Sequence, residues 1–143
     1  MKTFPGTLAL ALALVVLLAG CAHRGNDALY QQLGELEGIT RIVDSFIDEI
    51  SNDPVIVEHF AETDPERFRE KLIEQFCSLS GGPCEYTGDS MKKSHAGHNF
   101  TETDFNALVE DLVAAMEKQD VPTTAQNRLL ALLAPMRADT TYQ

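Results

Sequence analysis

The sequence predicts an all-α protein, and three observations carry that prediction. Apolar residues recur at helical spacing in four separate stretches, namely residues 39–50, 68–79, 105–116 and 129–136. No stretch alternates apolar and polar residues for long enough to indicate an amphipathic strand. The sequence also contains neither Asn-Gly nor Asp-Gly, which favour hairpin turns, and no segment of it repeats.

The first long helix is predicted over residues 39–52. Charged residues separate the members of its apolar stripe, which are Ile39, Ile42, Val43, Phe46, Ile47 and Ile50. Asn52-Asp53-Pro54 ends this helix, because the residue before a proline avoids helical backbone angles. A short apolar segment containing Phe60 follows it.

The second helix is predicted to begin at Pro65 and to continue to about Leu79. Thr63-Asp64 offers an N-cap, and proline suits the first turn of a helix because its missing N–H is not needed there. Ser80-Gly81-Gly82-Pro83 then breaks the pattern.

Residues 80–99 have the weakest helical pattern of the folded part, and only Met91–His95 is predicted to form a short helical turn, ending at Gly97. Thr101 or Thr103 can cap the next long helix, and Pro122-Thr123 begins the last one. Helices joined by one long loop with glycines at both ends leave space between them for a flat ligand.

The amino-terminal residues indicate export. Lys2 precedes the apolar run Leu8–Leu18, which is too short to span a bilayer that needs about 20 helical residues. Leu18-Ala19-Gly20-Cys21 resembles the lipobox of bacterial lipoproteins, in which the chain is cut before the cysteine and the thiol is lipid-modified. Residues 1–20 are therefore predicted to be a signal peptide, and the alternative is an ordinary cleaved signal in which Cys21 is incidental.

Lipidation at Cys21 would make residues 21–28 a short polar tether and residues 29–140 a single folded domain. Ala22 after the cysteine resembles lipoproteins sent to the outer membrane, so the domain is expected to face the periplasm. The formal net charge of −11 argues against nucleic acid as a partner, because an acidic body repels phosphate. A domain of this size buries a modest core, so a bound cofactor would add stability.

Four histidines are candidates for chemistry, and the context of His95 separates it from His23, His59 and His98. Neutral imidazole is a common ligand of haem iron. Several segments in order and spacing resemble the truncated globins of the first group: Leu29-Tyr30-Gln31-Gln32-Leu33-Gly34, Phe60 with Thr63-Asp64, Gly81-Gly82-Pro83, Tyr86-Thr87-Gly88, Met91 with His95, and Ala134-Pro135.

That resemblance implies a two-over-two helical sandwich around one haem b (iron protoporphyrin IX), with His95 as the proximal iron ligand and Phe60 against the haem face. It further places Phe46, Phe76, Met91, Tyr86 and Val113 near the porphyrin. Asn99 stands where the family often has a second glycine, and asparagine tolerates a left-handed backbone.

The chain departs from the family on the opposite side of the iron. Many members hold iron-bound oxygen with a tyrosine and a glutamine, whereas the matching residues here are Ile47 and Leu72, with Phe68 nearby. Tight oxygen storage is therefore not expected. Lys71 could pair with a haem propionate, bind the iron as a neutral amine, or face solvent. His59 could be a distal ligand only if its helical turn rotates inward.

Cys77 and Cys84 lie seven residues apart, in a protein predicted to enter an oxidising compartment. They could form a disulfide or stay as two thiols, because a continuing helix would hold their Cα atoms too far apart.

The favoured function is a haem protein that binds small diatomic ligands (O2, NO or CO), with a redox or nitric-oxide role that would require an unknown electron donor. Weak nitric oxide dioxygenase or peroxidase activity is left open. The alternative is a copper- or zinc-binding envelope lipoprotein whose candidate ligands are Cys77, Cys84, Met91, His95 and His98. A third possibility, a purely structural envelope lipoprotein, would need no ligand-binding pocket. No nucleophile–base set or phosphate loop stands out.

Overall fold

The computed structural model describes residues 29–143, so the predicted signal peptide and tether lie outside the described residues. A helical turn at residues 29–32 precedes five α-helices of this part: α1 (Glu35–Asn52), α2 (Pro65–Leu79), α3 (Met91–Ser94), α4 (Glu102–Lys118) and α5 (Thr123–Leu133). Short 3₁₀ helices occupy Val57–Phe60 and Ala134–Asp139. Residues 29–143 contain no strand, which confirms the all-α prediction, and none of their helices is long and apolar enough to cross a membrane.

Helix α1 is the centre of the packing, because both α2 and α4 lie against it. Its predicted stripe is the buried face, with Ile39, Val43 and Phe46 at most 6% exposed. The helix begins earlier than periodicity predicted, directly after Gly34, whose left-handed backbone (φ 83°) starts it. Glycine is needed next to this turn, since a Cβ on Gly38 would lie 2.1 Å from the Leu33 carbonyl oxygen.

Side-chain caps begin α2 and α4. Asp64 accepts hydrogen bonds from the backbone N–H groups of Glu66 and Arg67, at 3.0 and 3.1 Å. At α4 the N-cap is Thr101 rather than Thr103, and Thr101 and Asp104 form a reciprocal capping box. Both caps fix the amino-terminal ends of these helices, and the cap of α4 directly follows the irregular segment between α2 and α4.

Residues 80–90 are irregular, as their sequence predicted, but a disulfide and a backbone hydrogen bond hold them in place. Cys77 and Cys84 form a disulfide with their Cα atoms 5.7 Å apart. Their separation is this short because α2 stops at Leu79 and Gly81 takes a left-handed conformation (φ 87°) that turns the chain back. The backbone N–H of Tyr30 also donates to the Ser80 carbonyl at 3.2 Å.

The last residues of the chain hold the segment that follows α3. The backbone N–H of Tyr142 donates to the Phe100 carbonyl at 2.9 Å, and that of Gly97 donates to the Gln143 carbonyl at 3.1 Å. Asn99 between these contacts has a positive φ of 51°, so it adopts the left-handed backbone that the glycine-like position predicted.

The carboxyl group of Asp111, on α4, is incompletely hydrogen-bonded. Its Oδ2 atom is buried without a hydrogen-bond partner. Burial, helped by the nearby carboxylates of Asp53, Glu49 and Glu110, raises the pKa of Asp111 to about 6. A folded-state pKa above the unfolded value means that this group opposes folding once it is ionised.

We therefore expect Asp111→Asn to raise the free energy of unfolding at pH 7.5 by about 1–2 kcal/mol, after allowance for solvent screening. The gain should vanish below about pH 4, where the carboxyl is protonated in both states, and should grow as the pH rises to about 6. Urea denaturation across this range measures it. Glu117→Gln, at an exposed site on the same helix, is the control. An equal gain at pH 4 and pH 7.5 would contradict the assignment.

Candidate functional site

A largely apolar cavity of about 500 Å³ lies between α2, α3, α4 and α5. All nine residues that the sequence proposed for cofactor binding line it: Phe46, Phe60, Phe68, Lys71, Leu72, Phe76, Tyr86, Met91 and His95. The volume is within the range of cofactor pockets, about 300–1,000 Å³. Residues that are distant in the sequence are therefore brought together around one space.

Two residues that the sequence placed near this space do not line it. Val113 packs against the hydrophobic core, and its neighbour Leu112 lines the cavity instead. Successive helical residues point about 100° apart, so one position decides which of them faces a cavity. Ile47 likewise packs against the core, whereas Phe46 lines the cavity. Val113 therefore does not line the cavity, and the apolar wall includes Phe46, Phe68 and Leu72 but not Ile47.

His95 ends α3 and is oriented by the turn that precedes it. Ser90 caps α3 by accepting a hydrogen bond from the Lys93 N–H at 3.3 Å. The Nδ1 atom of His95 lies 2.7 Å from the Met91 carbonyl oxygen, one helical turn back. Nδ1 is then the donor, so Nε2 has the lone pair that a metal requires. Burial lowers the pKa of His95, which favours this neutral imidazole.

Three histidine rings surround Phe100 at one end of the cavity. The Phe100 ring centroid lies 4.5 Å from that of His59, 5.8 Å from that of His95 and 5.8 Å from that of His98. His59 already lines the cavity, so the expected inward rotation of its helical turn is not required. His98 is exposed as expected, but its ring also stacks on Phe100 and lines the cavity.

The orientation of His59 comes from the cap of α4. Its Nε2 atom lies 3.5 Å from Oδ2 of Asp104. Hydrogen bonds from Thr101 keep the pKa of Asp104 below its usual value, so the carboxylate is ionised beside the imidazole. Helix capping and the cavity wall therefore share one carboxylate.

Lys71 lies at the rim of the cavity with its ammonium group fully engaged. Its Nζ atom donates to Glu74 at 2.8 Å, to Glu70 at 3.1 Å and to the Thr87 hydroxyl at 2.7 Å. Glu74 is the main cause of a raised pKa of Lys71, and in return the pKa of Glu74 falls to about 2. A charged ammonium has no lone pair for iron. Ligation by Lys71 would require all three contacts to break, and plain solvent exposure is excluded because only 19% of the side chain is accessible.

Sequence reasoning missed Gln75, a buried polar residue of the cavity wall. Its amide donates to the sulfur atoms of Met91 and Met136, at 3.3 and 3.6 Å. A signal was available, because Gln75 lies four residues after Lys71 on the same face of α2. Thioethers are weak acceptors, so this amide is held only weakly and is a polar group of an otherwise largely apolar wall.

The copper or zinc alternative is not supported. Cys77 and Cys84 are joined to each other, so neither supplies a thiolate. Within residues 29–143, no group of three or more histidine, cysteine, aspartate or glutamate side chains is placed to hold a metal ion. The donor set suits haem instead, because one neutral imidazole faces an apolar space and a cation lies at its rim.

Comparisons with known proteins agree with this geometry. A model of the bacterial-like globins matches residues 28–142. The group 1 truncated haemoglobin of Nostoc commune is 32% identical over 106 residues, which are 74% of this chain and 88% of that protein. The corresponding protein of Mycolicibacterium paratuberculosis is 28% identical over 109 residues, which are 76% of this chain and 80% of that protein.

Solved structures share the fold. Truncated haemoglobin from Tetrahymena pyriformis, in its Fe(III) form, superimposes with a TM-score of 0.77 at 24% identity, over 80% of this chain and 98% of that one. A 2/2 haemoglobin from a Synechococcus species, in the cyanomet state with covalently attached haem, gives a TM-score of 0.74 at 21% identity over the same shares. These likenesses confirm the predicted two-over-two fold.

Proposed function

We propose that this chain, which belongs to the bacterial-like globin family, binds one haem b with His95 as the iron ligand. The observation that carries the proposal is the His95 imidazole in the apolar cavity, with Nδ1 committed to the Met91 carbonyl. That hydrogen bond selects the tautomer whose Nε2 binds iron and holds the ring in place. Haem bound there would supply an iron atom that coordinates a small gaseous ligand.

The protein's own residues would bind and shield this group. Aromatic side chains of the cavity, among them Phe46, Phe60 and Phe76, offer flat apolar surface to the porphyrin. Lys71 at the rim supplies the positive charge that suits a haem propionate. A propionate would take the place of the exposed Glu70 as one partner of the Lys71 ammonium, whereas iron ligation would also require the ammonium to lose its proton. We therefore propose the propionate role for Lys71 and not iron ligation.

The apolar distal wall favours nitric oxide or carbon monoxide over tightly held oxygen. Bound oxygen carries partial negative charge and gains from a hydrogen-bond donor, which Leu72, Phe68 and Phe46 do not have. Nitric oxide and carbon monoxide depend less on such a donor. A dioxygenase or peroxidase reaction would further need an electron donor or an oxidant from outside the chain.

The proposed location rests on the amino-terminal sequence. The Leu18-Ala19-Gly20-Cys21 pattern supports cleavage after Gly20 and lipidation of Cys21, with residues 21–28 as the tether. Ala22 supports the outer membrane, and the domain would then meet its ligand in the periplasm. Mass spectrometry of the mature chain, which would show an acylated Cys21 at its amino terminus, tests this part.

We expect the purified protein to take up one equivalent of haem, and His95→Ala to weaken that uptake by more than about a hundredfold, because the iron loses its protein ligand. Titration of the Soret band measures the stoichiometry and affinity. Lys71→Ala should retain haem and leave the spin state of the iron unchanged, since the Lys71 amine is committed elsewhere.

His98→Ala is the matched control for His95→Ala, because His98 lines the same cavity and contacts the same Phe100 ring. Haem loss in both variants would contradict the assignment of His95 as the sole iron ligand. Failure of the wild type to take up haem would refute the proposed function.

We expect Leu72→Gln to raise the oxygen affinity of the ferrous protein about ten- to hundredfold, because an amide donor in the distal wall would stabilise bound oxygen by about 1.5–3 kcal/mol. Carbon monoxide affinity should change much less. Leu72→Met supplies similar volume without a donor and should leave both affinities near the wild-type values. Stopped-flow measurement of ligand association and dissociation tests this, and an equal gain with Leu72→Met would show that volume, not hydrogen bonding, controls the site.

A further inference from the structure

Residues 84–90, here called the wall loop, form a side of the cavity without regular secondary structure. Tyr86 projects from this loop into the lining of the cavity. The loop leads directly into α3, which carries Met91 and positions His95. Any movement of the wall loop therefore reaches both the side wall and the iron ligand of the proposed haem pocket.

Two links of different chemistry fasten the wall loop to α2. One is the disulfide between Cys77 and Cys84. The other is polar: the Thr87 backbone N–H donates to Glu74 at 2.9 Å, and the Thr87 hydroxyl lies 2.9 Å from the same carboxylate oxygen and accepts from Lys71 at 2.7 Å. The covalent link is reducible and the polar link is not.

The surroundings of the disulfide determine which side would move on reduction. Cys77 is fully buried, and it directly follows Phe76, which lines the cavity. Gly82 lies so close that a Cβ there would be 2.7 Å from the Cys77 sulfur and 2.6 Å from the Tyr30 ring. Two thiols must separate by about 1.5 Å more than bonded sulfurs do. Because the Cys77 side has no room, the half-buried Cys84 and the wall loop would have to shift.

We propose that the Cys77–Cys84 disulfide controls haem retention: the disulfide holds the wall loop against the haem pocket, and its reduction by a dithiol loosens the loop and speeds haem loss. The proposal rests on the proposed haem-binding function and adds a regulation of the same site. In the oxidised protein both links hold the wall loop. In the reduced protein, of these two links only the Glu74–Thr87–Lys71 link still fastens the loop to α2.

The reaction is thiol–disulfide exchange with a dithiol reductant. A thiolate of the reductant attacks the Cys84 sulfur, the more accessible of the two; the Cys77–Cys84 bond breaks, and Cys77 leaves as a thiolate that takes up a proton. The second thiol of the reductant then attacks the mixed disulfide and releases Cys84 as a thiol. Two electrons and two protons pass to the protein, and the reductant ends as a disulfide.

The test compares haem loss from the oxidised and the reduced holoprotein. Haem-loaded protein is treated with tris(carboxyethyl)phosphine, desalted without oxygen and mixed with excess apomyoglobin, and the transfer of ferric haem is followed by absorbance. We expect haem loss to be about three- to tenfold faster after reduction, as when a link of hydrogen-bond strength is lost, and to return to its first value after reoxidation.

Glu74→Gln and Glu70→Gln separate the two links. Both carboxylates accept from Lys71, but of the two it is Glu74 that also accepts from Thr87 of the wall loop. Reduction of Glu74→Gln should speed haem loss by more than the product of the two separate effects, because the links act on the same loop. Glu70→Gln should respond to reduction as the wild type does.

Equal rates of haem loss in the two redox states, in the wild type and in Glu74→Gln, would overturn the proposal. So would loss of helical circular dichroism on reduction, since the disulfide would then be needed for the whole fold and would not act on the pocket alone. Failure of both redox states to bind haem is a different result, and it would refute the proposed function itself.

Discussion

The site depends on holding an irregular segment in a fixed place. Between α2 and α4 the chain has little regular structure, and yet this segment carries Tyr86 and His95 to the cavity. Backbone without helix or strand needs other partners for its polar groups. Here the partners are Glu74 before α3, and the Thr101 cap and the last residues of the chain after it, while the disulfide adds a covalent link. Without these fastenings, His95 would have no defined position.

A second constraint is the separation of charge from the apolar interior. Burial in the interior lowers the pKa of His95, and this favours the neutral imidazole. The strong charges lie at the rim, where Lys71 pairs with Glu74. This arrangement leaves a neutral imidazole, able to bind a metal, in a largely apolar cavity. The same charges hold the wall loop, because both Lys71 and Glu74 contact Thr87.

Much of the site was predictable because several of its residues lie in short motifs. Met91 and His95 are one helical turn apart, and Gly81-Gly82-Pro83 marks the turn before the wall loop. The sequence assigned some residues to the wrong face of a helix, because neighbouring residues of a helix point about 100° apart. Periodicity alone did not show that Val113 faces the core and Leu112 the cavity. Gln75 was missed because a glutamine on a helix is usually exposed.

The sequence by itself determined the helical class, the breaks at the prolines and glycines, the choice of His95 and the lack of a tyrosine–glutamine clamp. The helical class and the breaks follow from local spacing and residue chemistry, whereas the choice of His95 and the missing clamp follow from the resemblance to the truncated globins. Only the tertiary structure decided that Cys77 and Cys84 are bonded, that Thr101 and not Thr103 caps α4, and that Glu74 holds Lys71. These outcomes depend on where α2 stops and how the chain turns back at Gly81, and a distance between side chains follows from that path and not from their order.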